Sequence, residues 1–416
     1  MPPKRKVRTA LVLSGGGTRG AYEVGVVHYL RTKLPSRLAE GLQFDIHCGS
    51  SVGAINAAFM ASMAHDPVAQ GQTLLNLWSD LRTENIYRRG PLTLGKLLLR
   101  TLVGVVSHVA GLKGLARPDD RSLHFRGFFD TAPFFQFLRE HCHWANISKN
   151  IDHGVIEALA ISATNMLTGQ LEIFIHKRLE LGHSERLNCH IGRISPRHVM
   201  ASAALPLIFP PVPIHGVYYN DGAMRLNTPL APAVSLGAAR ILIIGTRYHP
   251  TVEDLDTQIR MTVSRQPTLG DVLGKLFHAI LVDRLDSDQE QVDRINRILT
   301  ACATHLDPDA YHAICTQAGV QRIETLSIEP TANIANLVDE TARGSLQNLR
   351  TMGILERFVL RVLETDPGQG SDFLSYFLFE PSYLKKLIDL GYEDARRHHD
   401  ALAAFAERAI EHKPVE

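Results

Sequence analysis

The chain has 416 residues, 45% of them hydrophobic and 21% charged, a balance close to the average of globular proteins. Disordered, collagen-like and coiled-coil chains are therefore excluded, and at roughly 150 residues per domain the length suggests two or three domains, or one large domain with appendages. Lys and Arg (44) balance Asp and Glu (43), so the net charge of +1 gives no overall attraction for nucleic acid.

The cysteines and the amino terminus indicate the compartment. The five cysteines form no CxxC pair and have no regular spacing, which favours a reducing environment. The basic start, MPPKRKVR, is followed by only a short apolar run before a glycine stretch, so we expect no secretory signal. No stretch reaches the roughly 20 apolar residues that a membrane-spanning helix needs. We therefore expect a cytoplasmic protein, with any membrane contact peripheral.

Two predicted strand-loop-helix units open the chain. In the first, Arg8 to Leu13 is an aliphatic run, SGGGTRG follows, and Ala21 to Leu34 has the apolar spacing of a helix. In the second, Phe44 to Cys48 is the strand, GSSVG the turn and AINAAFMASMA an alanine-rich helix. Repeated units of this kind predict a parallel α/β sheet.

Later strands are predicted by short apolar runs, and the region after about Gln266 has mostly helical patterns. The predicted strands are Glu157 to Ala163, Glu172 to Ile175, Val217 to Tyr219, Arg240 to Gly245 and, within the helical region, Arg322 to Ile328. Ser195 and Pro196 are typical of a helix start. Asp271 to Thr300 is one long helical pattern.

The segment from Pro91 to Ala116 has an amphipathic helical pattern that allows two roles. Six apolar residues fall on one stripe, and Lys96, Arg100 and Ser107 fall on another. A buried helix or lid on the core would have this pattern, and so would an interfacial helix that meets a bilayer. We assign residues 91–145 to a helical insertion or lid and leave the two roles open.

The first chemistry-bearing motif is GSSVG, in which Gly49, Ser51 and Gly53 satisfy GxSxG. In a nucleophile elbow, a strained turn from strand to helix lifts the serine hydroxyl above the sheet edge, and the flanking glycines avoid clashes. The motif stands between a predicted strand and a predicted helix, whose amino end favours developing negative charge. Ser51 is therefore the candidate nucleophile.

The glycine loop before it carries Gly15, Gly16, Gly17 and Gly20, and it satisfies GxGxxG between a strand and a helix. A dinucleotide-binding loop needs an acidic residue at the end of the second strand, which here ends in Cys48-Gly49-Ser50. A P-loop needs GK[ST], which does not follow. The other use of such a loop is an oxyanion hole, whose N–H groups face a carbonyl oxygen that becomes negative.

A catalytic serine needs a base, and Asp221 in VYYNDGA is a candidate because it ends a predicted strand near the same sheet edge. A plain turn aspartate would have the same pattern. In the order Ser, Asp, His, either His249 or His278 would complete a triad, although α/β-hydrolases have more sheet before the elbow than about 45 residues provide. Arg19 could hold a substrate phosphate or carboxylate, or be a surface arginine near a turn.

Three motifs together resemble the patatin-like phospholipases: SGGGTRGAYEVGV, then GSSVGAINA, then ASAALPLIFPPVPIHGVYYNDGAMRLNTPL. The resemblance covers about residues 8 to 250, which it implies to be the catalytic domain, followed by a mainly helical region at residues 266–416. It implies an α/β fold, a three-layer α/β/α sandwich around a largely parallel sheet.

The resemblance also implies roles for the motif residues. Ser51 would be the nucleophile and Asp221 the proton acceptor of a Ser-Asp dyad that lacks histidine. The amides of Gly15 to Gly17 would form the oxyanion hole. Gly222 and Ala223 give the DGA form, which lies within the DG[GA] range of the family.

The function that the resemblance implies is hydrolysis of fatty acyl esters, in phospholipids or lysophospholipids, through an acyl-enzyme. The expected partner is a lipid or fatty acyl ester, with no nucleic acid. No metal or other cofactor is expected, because the sequence has neither a DxDxDG loop nor an HExxH pair. Two alternatives stay open: a dinucleotide-binding protein that uses the glycine loop, and a catalytically silent lipid-binding scaffold.

Overall fold

The computed structural model of the chain describes residues 7–87, 129–179, 181–182, 187–206, 208–254, 256, 285–338 and 375–411. Three features predicted from the sequence lie outside these residues: the Pro91 to Ala116 helix, the start of the long helix at Asp271, and His278.

Nine strands in the described residues form one mixed, mostly parallel sheet. They are β1 Arg8–Leu13, β2 Ile46–Ser50, β3 Ala158–Asn165, β4 Leu171–Lys177, β5 Cys189–Ile191, β6 Val212–Ile214, β7 Val217–Asp221, β8 Ala238–Ile244 and β9 Glu324–Ile328. The strand order is β5-β4-β3-β2-β1-β8-β9, and β7 pairs with β3 and β6. The run from β3 through β2, β1 and β8 to β9 is parallel, whereas β4 and β7 are antiparallel to β3.

Helices flank the sheet. They include α1 Gly20–Thr32, α2 Ser36–Gly41, α3 Val52–Ser62, α4 Pro67–Ser79, α5 Thr83–Ile86, α6 Ala132–His141, α7 Trp144–Asp152, α8 Pro196–Ser202, α9 Leu230–Ser235, α10 Leu285–His305, α11 Pro308–Ala318, α12 Pro381–Arg397 and α13 His399–Glu411. Short 3₁₀ turns, Gly17–Arg19 and Gly222–Met224, follow β1 and β7. In this part of the chain, no helix combines the length and apolarity needed to cross a membrane.

The central strands are buried on both faces, and this produces two hydrophobic cores. In β1, Leu11 and Leu13 belong to one core, and Ala10 and Val12 belong to the other. Side chains alternate between the faces of a strand, so a strand covered on both sides is a nearly continuous apolar run. The predicted three-layer α/β/α sandwich around a largely parallel sheet is confirmed.

The end of β2 determines where the candidate nucleophile lies. The second strand was predicted at Phe44 to Cys48, but it extends to Ser50, because Gly49 and Ser50 still pair with Ile161 and Ser162 of β3. Ser51 is therefore the first residue after the strand, at the carboxyl-terminal edge of the parallel sheet.

The carboxy-terminal region is mainly helical, as predicted, and it shares the sheet and the core with the preceding residues. Strand β9 pairs in parallel with β8. Helix α12 crosses α1 where Gly25 and Gly391 allow a close approach: a Cβ at Gly25 would collide with the Ile388 carbonyl, and one at Gly391 with the Tyr22 carbonyl. The two helices therefore touch backbone to backbone.

Candidate active site

Ser51 occupies a tight turn between β2 and α3. Its φ of 52° and ψ of −122° are unusual for a residue with a side chain, and it is the N-cap of α3. The glycines on either side allow the turn to close: a Cβ at Gly49 would collide with the Gly53 backbone, and one at Gly53 with the Leu13 carbonyl. The turn directs the positive end of the α3 dipole at the serine.

The Ser51 side chain is paired directly with Asp221. Ser51 Oγ donates a hydrogen bond of 2.6 Å to Asp221 Oδ2, and the two residues are 3% and 0% exposed. The other carboxyl oxygen, Oδ1, accepts from the Ala223 N–H at 2.8 Å. The Asp221 backbone is fixed as well, because its N–H donates to Ala204 O at 2.9 Å and its carbonyl accepts from Thr164 Oγ1 at 2.8 Å.

Burial changes the proton affinity of this carboxyl group. It raises the pKa of Asp221 to about 7, although the hydrogen bonds from Ser51 and Ala223 act in the opposite direction. A base is most effective when its pKa lies near the working pH. The Asp221 carboxylate can therefore accept a proton from the serine near neutral pH.

Within the described residues, no histidine is hydrogen-bonded to this Ser-Asp pair. The Nε2 atom of His249, one of the two candidates for a triad, lies 3.1 Å from Glu329 Oε2, and the side chain is about half exposed. In the described residues, the Ser51 hydroxyl is therefore paired with the Asp221 carboxyl alone, without a histidine.

Ser202, at the end of α8, is a residue of the site that sequence reasoning missed. Its Oγ accepts a hydrogen bond of 2.9 Å from the Ser51 N–H, and the residue is fully buried. Ser202 belongs to the ASAALPLIF stretch used for the family resemblance, but nothing in that stretch indicates which backbone group it meets. Its hydroxyl stabilises the strained turn at Ser51.

The glycine loop lies beside the serine. A Cβ at Gly15 would be 3.2 Å from Ser51 Cβ and 2.8 Å from Ala223 Cβ. The Gly15 N–H donates to Asn227 O at 3.0 Å, so it is occupied, contrary to the expectation that it faces a substrate oxygen. In the described part of the chain, the N–H groups of Gly16 and Gly17 have no such partner. They are the two donors of the loop that remain available.

Arg19 does not have the position of a substrate ligand. It is 4% exposed, and its Nε and Nη2 donate to Ser375 Oγ at 3.0 and 2.6 Å. Its guanidinium carbon is 4.1 Å from the centre of the Tyr376 ring. The Arg19 side chain is therefore engaged inside the protein, and its role as a ligand of a substrate phosphate or carboxylate stays a prediction that this position does not support.

An apolar pocket opens at Ser51, with about 560 Å³ of empty space when its open mouth is included. Beside Ser51 and Gly17, its wall includes Val52, Ile55, Leu77, Trp78, Leu81, Ile86, Phe134, Phe137, Ala203, Leu205, Phe209, Tyr376 and Phe379. Within the described residues, the wall offers almost no hydrogen-bonding groups. The pocket therefore suits the hydrocarbon part of a ligand whose reactive group is at the serine.

A buried network of side-chain hydrogen bonds, not anticipated from the sequence, supports one wall of this pocket. Glu23 Oε2 accepts from Asn56 Nδ2 at 2.7 Å, and Asn56 Oδ1 accepts from the indole N–H of Trp78 at 2.9 Å. Asn56 also donates to the Gly20 carbonyl at 3.1 Å. Burial raises the pKa of Glu23 well above its ordinary value, which favours the neutral form of this carboxyl. These hydrogen bonds join Gly20, at the end of the glycine loop, to Trp78 in the pocket wall.

A sequence model of the patatin-like phospholipase family matches residues 11–234. Among solved structures, the chain is similar to VipD from Legionella pneumophila, with 14% identity over 95% of this chain and 67% of that one, at a TM-score of 0.34. Human GIVD cytosolic phospholipase A2, in complex with methyl gamma-linolenyl fluorophosphonate, has 12% identity, coverages of 98% and 60%, and a TM-score of 0.38. The ExoU-SpcU complex of the Pseudomonas aeruginosa type III secretion system has 16% identity, coverages of 97% and 78%, and a TM-score of 0.28.

Proposed function

Because the chain belongs to the patatin-like phospholipase family, we propose that it hydrolyses fatty acyl esters of phospholipids or lysophospholipids. Ser51 is the nucleophile and Asp221 the general base. The observation that carries the proposal is the buried 2.6 Å hydrogen bond from Ser51 Oγ to Asp221 Oδ2, where Ser51 also lines an apolar pocket.

In the first half of the reaction, Asp221 accepts the Ser51 proton while Oγ attacks the ester carbonyl carbon. The carbonyl oxygen becomes negative, and the N–H groups of Gly16 and Gly17 donate to it, assisted by the positive end of α3. The bond to the leaving oxygen then breaks. Asp221 passes its proton to that oxygen, so a lysolipid or another alcohol leaves and the acyl group stays on Ser51.

In the second half, a water molecule gives a proton to Asp221 and attacks the acyl carbon. The same two N–H groups stabilise the second oxyanion. When the bond to Ser51 Oγ breaks, the serine recovers the proton from Asp221 and a free fatty acid is released. The dyad therefore returns to its starting state, with one water consumed for each ester cleaved.

The pocket supports the proposed substrate class. An acyl chain can lie along its aliphatic and aromatic wall, because apolar surface buried there gains about 25 cal/mol per Å². With the ester carbonyl at Ser51 and the chain in the pocket, the alcohol part of the lipid points away from the wall. We therefore propose selection for a long acyl chain.

The test compares two adjacent serines. Ser51→Ala should abolish hydrolysis of p-nitrophenyl esters and labelling by a fluorophosphonate, because the attacking oxygen is gone. Ser50→Ala is the matched control: Ser50 is also fully buried, its hydroxyl has no hydrogen-bond partner in the described residues, and activity should persist. A panel of phospholipids and lysophospholipids then identifies the substrate.

Labelling that persists in Ser51→Ala would overturn the assignment of the nucleophile. A folded wild-type protein that binds lipid vesicles but cleaves no ester would instead favour a silent lipid-binding scaffold.

A further inference from the structure

Residues 375–379, here called the bracing segment, lie against the glycine loop although they fall outside the stretch that the family model matches. Tyr376 O accepts a hydrogen bond of 3.1 Å from the Thr18 N–H, and Thr18 Oγ1 donates to Ser375 O. Ser375 Oγ accepts from Arg19 Nε at 3.0 Å and from Arg19 Nη2 at 2.6 Å. These four hydrogen bonds join the segment to the turn that follows the glycine loop.

The backbone of the loop fits closely against this segment. The Tyr376 carbonyl approaches Gly17 so closely that a Cβ on Gly17 would collide with it, and Gly17 has a φ of +57°. The Arg19 guanidinium lies over the Tyr376 ring, where the ring face attracts the positive charge. Thr18, Arg19 and Ser375 are all buried, so water does not compete for these bonds. The segment therefore restrains the peptide groups around Gly17.

The same segment forms part of the apolar pocket. Tyr376 and Phe379 line the pocket together with Gly17 and Ser51. Phe377, which lies between the two aromatic residues in sequence, is not among the described residues that line it. The bracing segment therefore contacts the glycine loop and also lines the apolar pocket.

We propose that three residues of the bracing segment, Ser375, Tyr376 and Phe379, are a working part of the acyl hydrolase site. Ser375 and Tyr376 are positioning residues, because they fix the loop whose Gly16 and Gly17 N–H groups face the oxyanion. Phe379 is a specificity-determining residue, because it contacts the acyl chain. Both roles rest on the proposed function and add to it a catalytic contribution from residues beyond the family match.

The positioning role is tested at Thr18, outside the reacting groups. Thr18→Val keeps the size of the side chain but removes the hydroxyl that donates to Ser375 O. We expect kcat for p-nitrophenyl butyrate to fall about tenfold with KM nearly unchanged, because small misplacements of transition-state donors are costly. Thr18→Ser, which keeps the hydroxyl, should restore kcat.

Active-site titration separates positioning from a loss of folded protein. Wild type, Thr18→Val and Thr18→Ser should all reach the same final stoichiometry of fluorophosphonate label. The lower kcat of Thr18→Val then reflects a slower reaction at each site and not a smaller number of intact sites. An unchanged kcat in Thr18→Val, or a fall matched by an equal loss of sites that can be titrated, would overturn the positioning role.

The specificity role is tested with two aromatic residues of the segment. Phe379→Ala should lower the ratio of kcat/KM for p-nitrophenyl laurate to that for the butyrate by about tenfold, because lost apolar contact affects only the long chain. Phe377→Ala is the matched control and should keep the wild-type ratio. Equal ratios in the two variants would overturn the role of Phe379.

Failure of this inference differs from failure of the proposed function. If the wild type cleaves no ester, or Ser51→Ala stays active, the proposed function itself is overturned. If Ser51→Ala is inactive while Thr18→Val and Phe379→Ala behave as wild type, only the bracing role is overturned. Should Thr18→Val not fold, the chain-length ratio of Phe379→Ala decides alone.

Discussion

At the scale of single residues, Asp221 meets two opposing demands. In the proposed mechanism the carboxyl must be ionised to accept the serine proton, and burial disfavours the ionised form. Hydrogen bonds from Ser51 and the Ala223 N–H compensate in part, and the resulting pKa of about 7 lies well above the ordinary 3.8. The group is therefore a stronger base than an exposed aspartate, at the cost of being protonated in acid.

The first consequence concerns rate and pH. Because only the ionised carboxylate accepts a proton, kcat/KM for a soluble ester should rise with pH and level off above an apparent pKa of about 7. Asp221→Asn should lower the rate by at least about 100-fold. Initial rates across the pH range, with wild type and variant in the same buffers, provide the measurement.

Histidine variants provide the control for this prediction. His249→Ala should stay near the wild-type rate, because its side chain pairs with Glu329. His278→Ala, at a position outside the described residues, should do the same. A collapse of activity in either variant, with the fold intact, would restore the Ser-Asp-His triad.

The second consequence concerns stability. Since the pKa of Asp221 is higher in the folded chain, the folded state holds more protons than the unfolded state between about pH 4 and 7. The contribution of this group to stability therefore falls as the pH rises through that window. Asparagine cannot ionise, so the Tm of Asp221→Asn relative to wild type should be higher at alkaline than at acid pH. Thermal unfolding at two pH values measures this, and a difference that is constant with pH would contradict it.

At the scale of elements, the crossing of α1 and α12 depends on the absence of two side chains. A methyl group at Gly391 would be forced against the Tyr22 carbonyl. We expect Gly391→Ala to lower the free energy of unfolding by roughly 1–3 kcal/mol, because the packed helices must separate. Gly192→Ala is the control, since a Cβ there meets nothing within 4 Å. Denaturant midpoints compare the two, and equal midpoints would show that the crossing adapts freely.

The sequence predicts a strand well where both faces of the strand are buried. Strand β1 has the predicted bounds, because a strand covered on both faces is a continuous apolar run. The short strands β5 and β6 were not predicted: each has three residues, few of them buried, and leaves too little periodicity to detect. Strand β2 was placed two residues early, because glycine disfavours strands. Gly49 and Ser50 belong to the strand because both pair with β3 and Gly49 also pairs with β1.

The residues of the site also differ in whether a local sequence pattern identifies them. Ser51, Asp221 and the glycine loop are found from sequence, because each lies in a contiguous motif with a defined turn. The partner of Arg19 is not found, because Ser375 lies 356 positions away and no local pattern records the contact. The interpretation of Arg19 as a substrate ligand therefore assumed a free side chain, whereas tertiary packing uses it.

At the scale of the whole molecule, the predicted division into residues 8–250 and 266–416 stays a prediction. The contacts that join the parts include the hydrogen bonds of the bracing segment to the glycine loop, the pairing of β9 with β8 and the packing of α12 on α1. A fragment of residues 1–250 would expose the edge of β8 and an apolar face of α1. We expect it to bind hydrophobic dyes and to lack a cooperative thermal transition, measured by circular dichroism. A fragment that melts cooperatively and cleaves esters would establish an independent catalytic domain.

The hydrogen bond between Thr18 and Ser375 spans 357 positions, and this gives the protein an order of assembly. During synthesis the amino-terminal residues emerge first, so a growing chain contains the glycine loop, Ser51 and Asp221 long before it contains the bracing segment. Contacts between residues so distant in sequence also form slowly. The nascent chain therefore carries the proposed nucleophile before the proposed oxyanion loop is braced, and we expect full ester hydrolysis only after translation has passed residue 379.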